Sequence, residues 1–373
     1  MKKYKVLTVV GTRPEIIRLS RCLNSFDENF DHILVHTNQN YDFELNKVFF
    51  TDMNLKNPKY SIQNKNNKMF EILGNSFVEI EKIIQKERPD AFVVLGDTNS
   101  AITSYVAKRN KLPIIHIEAG NRCFDENVPE EINRKIVDHI SDLNVVYSDF
   151  AEKNLIREGI SNNKIINLGS PLYEVINHYK KKINSYKILK KYNLKNKNYI
   201  LVSFHREENV QNKKKLNEFL DIINYLAVKY KIPVLVSTHP RLKKVLSSSK
   251  KRTNKFIKFH KPFSFTEYLS LQLSSKLVIS DSGSIPEETS ILNLKSIILR
   301  DTFERQEILS KSACVISPVK LENFKKILEV ELKTSTKINK KLLEYENQSF
   351  SNHLSRIIVS KIEFINKYIW NKI

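Results

Sequence analysis

Three acidic side chains stand at or just after apolar runs in the first half of the chain: Asp97 in Gly96-Asp97-Thr98, Glu118 in Glu118-Ala119-Gly120, and Glu130 in Pro129-Glu130-Glu131. Carboxylates that converge in a partly dry cleft raise one another's pKa, leaving a pair able to remove and return protons near neutral pH. Glycoside hydrolysis and metal binding use paired carboxylates too, so spacing alone does not name the reaction. Each acid taken singly also reads as a solvated or ion-paired loop residue. Cys123 lies in the same region, but no base is visibly paired with it as a nucleophile would require.

The second half offers a different chemistry. Asp281-Ser282-Gly283-Ser284-Ile285-Pro286-Glu287-Glu288 follows an apolar run and opens a helical pattern, with Pro286 suited to a first turn where it has no donor to lose. Backbone N–H groups of Ser282 to Ser284, reinforced by the helix dipole, would cradle a diphosphate. An ordinary capped helix with acidic residues in its first turn gives the same pattern. A carboxylate so placed would be repelled by phosphate, so Glu288 suits a ribose diol better. Arg13, His205 and Arg305 are the natural cations to balance the diphosphate, although a structural ion pair is the usual fate of such an arginine.

Elements that position these residues follow from the alternation of short apolar runs with helical patterns. The runs are Val6 to Val10, Ile33 to Val35, Ala91 to Leu95, Ile114 to Ile117 and Leu143 to Val146, then Tyr199 to Phe204, Val234 to Val236, Leu277 to Ile279 and Ile297 to Leu299. This alternation predicts two parallel α/β sheets. In such sheets ligands sit beyond the carboxyl ends of the strands, where Gly11-Thr12-Arg13, Gly96-Asp97, Glu118-Ala119-Gly120, Phe204-His205-Arg206, Thr238-His239 and Asp281-Ser282 fall. The predicted domains are 1–176, bearing the acids, and 177–351, bearing the diphosphate loop. A lysine-rich crossover lies near 177–198, and a terminal amphipathic helix over 352–373 is expected to pack back on the N-terminal domain.

Composition bounds the rest. A length of 373 residues suits two domains, and 41% hydrophobic residues can fill their cores. No run approaches the roughly 18 apolar residues of a membrane span, and no signal peptide precedes the first strand pattern, so a soluble cytoplasmic protein without membrane insertion is expected. Three scattered cysteines suggest neither a disulfide framework nor a zinc site. The formal charge of +21 invites nucleic acid, yet lysine, asparagine and isoleucine are abundant throughout and no nucleic-acid motif accompanies them, so no nucleic-acid partner is expected. Only seven glycines are present, and four (Gly11, Gly96, Gly120 and Gly283) follow strand-like runs, where side chains would spoil the turn.

In this order the stretches Gly11-Thr12-Arg13-Pro14-Glu15, Gly96-Asp97-Thr98, Glu118-Ala119-Gly120, Pro129-Glu130-Glu131-Ile132-Asn133-Arg134, Asp138-His139, Asp281-Ser282-Gly283 and Arg300-Asp301-Thr302-Phe303-Glu304-Arg305 resemble signatures of the non-hydrolysing UDP-N-acetylglucosamine 2-epimerases. The resemblance implies a GT-B-like fold, two Rossmann-like domains facing across a cleft, with no cofactor and no metal. It implies elimination of UDP to a 2-acetamidoglycal and re-addition, with acid-base groups on both faces of the sugar. By similarity Asp97, Glu118, Glu130 and His205 are catalytic. Arg13, Arg18, Arg122, His205, Arg206, Pro262, Phe263, Ser282, Gly283, Ser284, Glu288 and Arg305 would bind the UDP-sugar, with the uracil against the backbone near Pro262-Phe263. A homodimer is expected on the same ground.

Departures from the family pattern narrow the substrate. The loop Asn121-Arg122-Cys123-Phe124-Asp125-Glu126-Asn127-Val128 is shorter than in the acetylglucosamine enzymes by about two residues, which would reshape the pocket near the sugar. Together with His205-Arg206-Glu207-Glu208, it resembles the branch that makes UDP-N-acetyl-L-fucosamine from UDP-2-acetamido-2,6-dideoxy-L-talose for capsule or O-antigen. UDP-N-acetylglucosamine 2-epimerisation is the alternative, and a GT-B glycosyltransferase the next class. A UDP-sugar sensor would use the same residues without needing the acids. Gln39-Asn40-Tyr41-Asp42 keeps only part of the polar pattern that binds an activating UDP-sugar in some relatives.

Overall fold

The computed structural model describes residues 3–38, 50–64, 68–183, 187–248, 251–334 and 338–372. The segment Gln39-Asn40-Tyr41-Asp42 lies outside the described residues. The chain forms two compact units, one of Met1–Asn177 with Glu344–Ile373 and the other of His178–Leu343. The second unit therefore ends at Leu343, and the chain rejoins the first before the terminal helix begins.

Seven parallel strands make the sheet of the first unit: β1 (Lys5–Val10), β2 (Asp31–His36), β3 (Tyr60–Ser61), β4 (Ala91–Leu95), β5 (Ile114–Ile117), β6 (Leu143–Val146) and β7 (Ile165–Asn167), in the order β3-β2-β1-β4-β5-β6-β7. Helices cover both faces, so the central strands are buried on both sides: β4 and β5 have every residue buried. Leu7, Val9, Ile33, Phe92, Val94 and Ile114 pack with Ile80, Ile83 and Ile84 of the helix Met69–Glu87. The terminal helix Phe350–Tyr368 buries Leu354, Ile358, Ile362 and Ile365, the mixed spacing of fours and threes of one helix face. Its Ser355 hydroxyl lies 2.9 Å from that of Ser25 on the helix Arg13–Asn29.

The second unit repeats the plan with six parallel strands: β8 (Ile200–Ser203), β9 (Val234–Ser237), β10 (Ile257–His260), β11 (Leu277–Ser280), β12 (Ser296–Leu299) and β13 (Val315–Ser317), ordered β10-β9-β8-β11-β12-β13. Its core joins Val202, Val236, Ile279 and Ile297 to Phe219, Leu220 and Ile223 of the helix Lys213–Tyr230, with the Phe204 and Phe219 rings stacked at 4.1 Å. The lysine-rich stretch after Asn177 belongs to this unit: Leu189 and Leu194 are buried with Tyr199 and Phe263, and the lysines project outward.

Each sheet has one place where successive crossovers diverge. In the first it lies between β1 and β4, and in the second between β8 and β11. Such a switch point opens a crevice at the carboxyl ends of the strands. Among the described residues no helix is long and apolar enough to cross a membrane.

Candidate active site

In the first unit the crevice is bounded by Gly11-Thr12 after β1 and Gly96-Asp97-Thr98 after β4. The turns are joined by Glu15, a buried residue in the first turn of the helix Arg13–Asn29. Its Oε2 accepts the backbone N–H groups of Gly11 (3.0 Å) and Thr12 (2.7 Å) and the Thr12 hydroxyl (2.7 Å), while Oε1 accepts the Thr98 hydroxyl at 2.8 Å. Burial pushes the Glu15 carboxyl up to about 7, against the pull of these donors.

The pairing of Leu95 with Ile117 sets Gly96 beside Glu118, so a Cβ at Gly96 would lie 4.0 Å from Glu118 Oε2. Asp97 and Glu118 therefore leave adjacent strand ends. Glu118 has φ 72°, a left-handed backbone unusual for a side-chain-bearing residue, and such conformations persist only where the surroundings hold them. Arg18 Nη1 approaches Glu118 Oε2 at 3.5 Å. Glu130, half-buried, opens the helix Pro129–Ile140, whose Arg134 reaches Asp97 Oδ2 through Nη2 at 2.5 Å and whose Asn133 donates to the Asp97 carbonyl at 2.8 Å.

The loop after Gly120 is fastened from two sides. Arg122 is fully buried; its Nε and Nη2 donate to the two oxygens of Glu158 at 2.8 and 2.6 Å, and its Nη1 to the Asn121 carbonyl at 2.8 Å and Asp138 Oδ2 at 2.7 Å. Expected as a contact to the sugar nucleotide, Arg122 is here a strut, because its donors are spent inside the unit. Glu131 accepts the backbone N–H groups of Cys123 and Phe124, each at 3.0 Å, and the Arg134 Nη1 donor at 2.7 Å. Burial opposes ionisation of Glu131, but these donors outweigh it and hold the carboxyl below its ordinary range. The Cys123 thiol donates to the same carboxylate, and burial pushes its pKa up, away from nucleophile chemistry.

In the second unit Ser280 pairs with Ser203, which sets Asp281 beside the turn carrying His205 and Arg206. Fully buried, Asp281 accepts His205 N–H (3.0 Å), Arg206 N–H (2.9 Å) and Asn209 Nδ2 (3.2 Å), with His205 Nδ1 at 3.1 Å. Burial works against its charge, yet the His205 ring and the backbone donors prevail, and its carboxyl stays below the usual range. Ser282, Gly283 and Ser284 follow, half-buried, ahead of the helix Ile285–Leu292. A Cβ at Gly283 would come within 3.3 Å of Glu304 Oε1 and 3.5 Å of Arg206 Nη2, so the turn and Arg206 share one spot. Glu288 is buried on the helix and accepts Gln272 Nε2 at 2.6 Å.

Two residues expected at the ligand have buried side chains. Phe263 is buried, its ring stacked on His260 at 4.5 Å. Arg305 is 1% exposed and its Nη2 pairs with Glu287 at 2.9 Å. Arg13 sits at the start of its helix and is half-buried.

Residues 24–359 match the family model described as UDP-N-acetylglucosamine 2-epimerase. The chain belongs to this family. It is a UDP-sugar 2-epimerase of the non-hydrolysing kind, with two Rossmann-like parallel-sheet domains in a GT-B-like fold. A UDP-N-acetylglucosamine 2-epimerase from Methanocaldococcus jannaschii is 37% identical over 347 residues, spanning 88% of this chain and 92% of that protein. The solved structure of a UDP-N-acetylglucosamine 2-epimerase from Rickettsia bellii superimposes with a TM-score of 0.90 at 38% identity, covering 99% of this chain and 100% of that one. A structure of the Methanocaldococcus jannaschii enzyme in complex with UDP-GlcNAc and UDP gives a TM-score of 0.88 at 35% identity, covering 95% and 99%.

For this epimerase the sequence named the strand-end acids but passed over the residues that hold them. Glu15, Arg134, Glu131, Asp138 and Asp281 all lie inside the recognised stretches. Their signal was spacing: Glu131, Arg134 and Asp138 recur at helical intervals on one face of Pro129–Ile140, and all three are buried.

Proposed function

We propose that this UDP-sugar 2-epimerase converts UDP-2-acetamido-2,6-dideoxy-L-talose into UDP-N-acetyl-L-fucosamine, a precursor for capsule or O-antigen, as a cytoplasmic homodimer. The supporting observation is the loop 121–128. It resembles the L-talose branch in being about two residues shorter than the acetylglucosamine pattern, and in a pocket built for the longer loop a missing 6-hydroxyl would strand any buried polar group meant for it. Fastening through Arg122 to Asp138 and Glu158, and through Cys123 and Phe124 to Glu131, fixes the shape of this loop, so it does not stretch to replace what is missing.

The reaction breaks the C2–H and C1–O bonds and forms a C1=C2 bond, with the diphosphate leaving with the bonding pair. UDP then adds back at C1 while a proton is delivered to the opposite face of C2. Asp97, Glu118 and Glu130 are the proton-transfer groups in this reading, with Arg134 and Arg18 holding the first two. Arg13, His205, Arg206 and the N–H groups of Ser282 to Ser284 take the diphosphate, whose stabilisation is what makes so weakly acidic a proton removable. Glu288 takes the ribose, and the backbone at Pro262-Phe263 takes the uracil.

A second reading, epimerisation of UDP-N-acetylglucosamine to UDP-N-acetylmannosamine, is favoured by the names of the relatives. Incubation with each UDP-sugar in deuterated water, followed by NMR at C2, separates the two. Exchange with the L-talose sugar supports the proposal, and exchange confined to UDP-N-acetylglucosamine replaces it with the second reading.

A further inference from the structure

Asp97 and Glu118 leave β4 and β5 on left-handed turns: Gly96, Glu118 and Gly120 all have positive φ, at 71°, 72° and 80°, a geometry that glycine adopts freely and Glu118 only where its surroundings hold it. A single carboxylate behind the sheet end reaches both turns. Asp138, on the helix Pro129–Ile140, is 1% exposed, and its two oxygens face three nitrogen groups. Gly120 N–H points between them at 3.3 and 3.2 Å, Arg122 Nη1 lies 2.7 Å from Oδ2, and His116 Nδ1 lies 2.8 Å from Oδ1. His116 is itself fully buried in β5, and its Nε2 lies 2.8 Å from the Gly96 carbonyl. A carbonyl oxygen only accepts, so Nε2 carries the hydrogen of that bond. The result is a chain from Asp138 through His116 to the residue before Asp97, and a direct bond from Asp138 to the turn that follows Glu118.

We propose that Asp138 is a positioning residue for the epimerisation. Through His116 it fixes the Gly96–Asp97 turn, and through Gly120 N–H the Glu118–Gly120 turn, so one buried side chain sets where both acids stand. Resting on the assignment of Asp97 and Glu118 as proton-transfer groups, this adds the device that holds them. Burial opposes charge on Asp138, but His116 and Arg122 keep its carboxyl below the ordinary range, so it accepts Gly120 N–H and Arg122 Nη1 with His116 Nδ1 held against Oδ1. Proton transfer is sensitive to small displacements, and a group that touches neither substrate nor leaving group gains a large effect on turnover in this way.

The test uses Asp138→Asn, which keeps the shape but offers one accepting oxygen, and His116→Gln, which breaks the link to Gly96 alone. Turnover is scored per UDP-binding site, counted by calorimetric titration, so that loss of folded protein does not register. Expected for Asp138→Asn is a kcat at least about thirtyfold lower, with KM within roughly threefold. Expected too is a larger deuterium isotope effect at C2, because proton transfer from C2 to a misplaced carboxylate becomes the slow step. His116→Gln should show a smaller loss of the same kind, and the double variant should be no slower than Asp138→Asn, since both act along one chain. If Asp138→Asn fails to fold, His116→Gln alone carries the test. Wild-type turnover per UDP-binding site in the folded variants, or losses in the two that multiply in the double, overturns the proposal. A wild-type enzyme that exchanges no C2 proton with either UDP-sugar overturns the functional reading instead, and this inference with it.

Discussion

The Thr98 hydroxyl donates to Glu15 Oε1 at 2.8 Å, and the other oxygen of the same carboxylate accepts Gly11 and Thr12, so one buried acid spans the two strand ends of the first crevice. Asp281 does the same in the second unit, where it follows β11 and accepts the backbone of His205 and Arg206 after β8. Two unrelated stretches of sequence have thus arrived at one solution. Parallel strands diverging at a switch point leave backbone donors without ladder partners, and a carboxylate from the neighbouring loop or helix satisfies them.

Glu15 makes stability depend on pH in a direction opposite to that of most carboxylates. Its folded value of about 7 exceeds the ordinary 4.5, so between those values the native state binds more protons than the unfolded chain. Its contribution is therefore fully present below about 4.5 and lost as pH rises through 7, by roughly 3 kcal/mol. In Glu15→Gln the amide oxygen can keep the three donors at Oε2, and the Thr98 hydroxyl can turn to accept. Denaturant midpoints from pH 5 to 8 should show the variant gaining on the wild type as pH rises. A difference that is flat across this range would show that Glu15 does not titrate there.

Gly120 and Gly74 should respond oppositely to alanine. A Cβ at Gly120 would sit 2.3 Å from the Ala151 carbonyl oxygen with φ at 80°, so Gly120→Ala should cost more than about 2 kcal/mol or prevent folding. Nothing lies within 4 Å of a Cβ at Gly74, inside the helix Met69–Glu87, where alanine should gain about 0.5–1 kcal/mol. Thermal melting of the two variants checks both signs. Equal midpoints would mean that the close approach of Gly120 to Ala151 is not a constraint.

The legible part of this fold was its central strands, because burial on both faces makes them continuous apolar runs: β4, β5 and β6 lie where those runs predict. The edges were not legible. β3 is two residues long, and β10 has one buried residue, Ile257, followed by exposed Lys258 and Phe259, so neither leaves an apolar run. At the site, glycine scarcity pointed correctly to Gly96 and Gly120, whose φ values are positive, yet said nothing of Glu118, which adopts the same geometry with a side chain. Arg122 was legible as a charge but not as a strut, since Glu158 lies 36 residues further along and only the fold brings the two together.

Asp281 should matter to nucleotide binding without touching the nucleotide. Asp281→Ala leaves the His205 and Arg206 N–H groups and Asn209 Nδ2 without their acceptor, and buried donors so abandoned cost roughly 1–3 kcal/mol. The turn holding His205 and Arg206 should loosen, weakening UDP affinity by about tenfold or more in calorimetric titration. UDP binding at wild-type strength would separate this turn from the diphosphate and remove His205 and Arg206 from the proposed site.

The acids should matter to turnover and not to the nucleotide. Asp97 is held by Arg134 at one oxygen and by Asn133 at its carbonyl, and Glu130 stands at the opening of the same helix, so replacing either with its amide changes charge more than shape. Arg134 would keep an accepting oxygen in Asp97→Asn, which argues against collapse of the helix. A proton-transfer role predicts that Asp97→Asn and Glu130→Gln each lower kcat by at least about a hundredfold, while UDP affinity changes by no more than a few-fold. Steady-state kinetics paired with UDP titration reads both quantities. Turnover that survives one substitution removes that residue from the chemistry, and UDP affinity that falls in step with turnover reassigns it to binding.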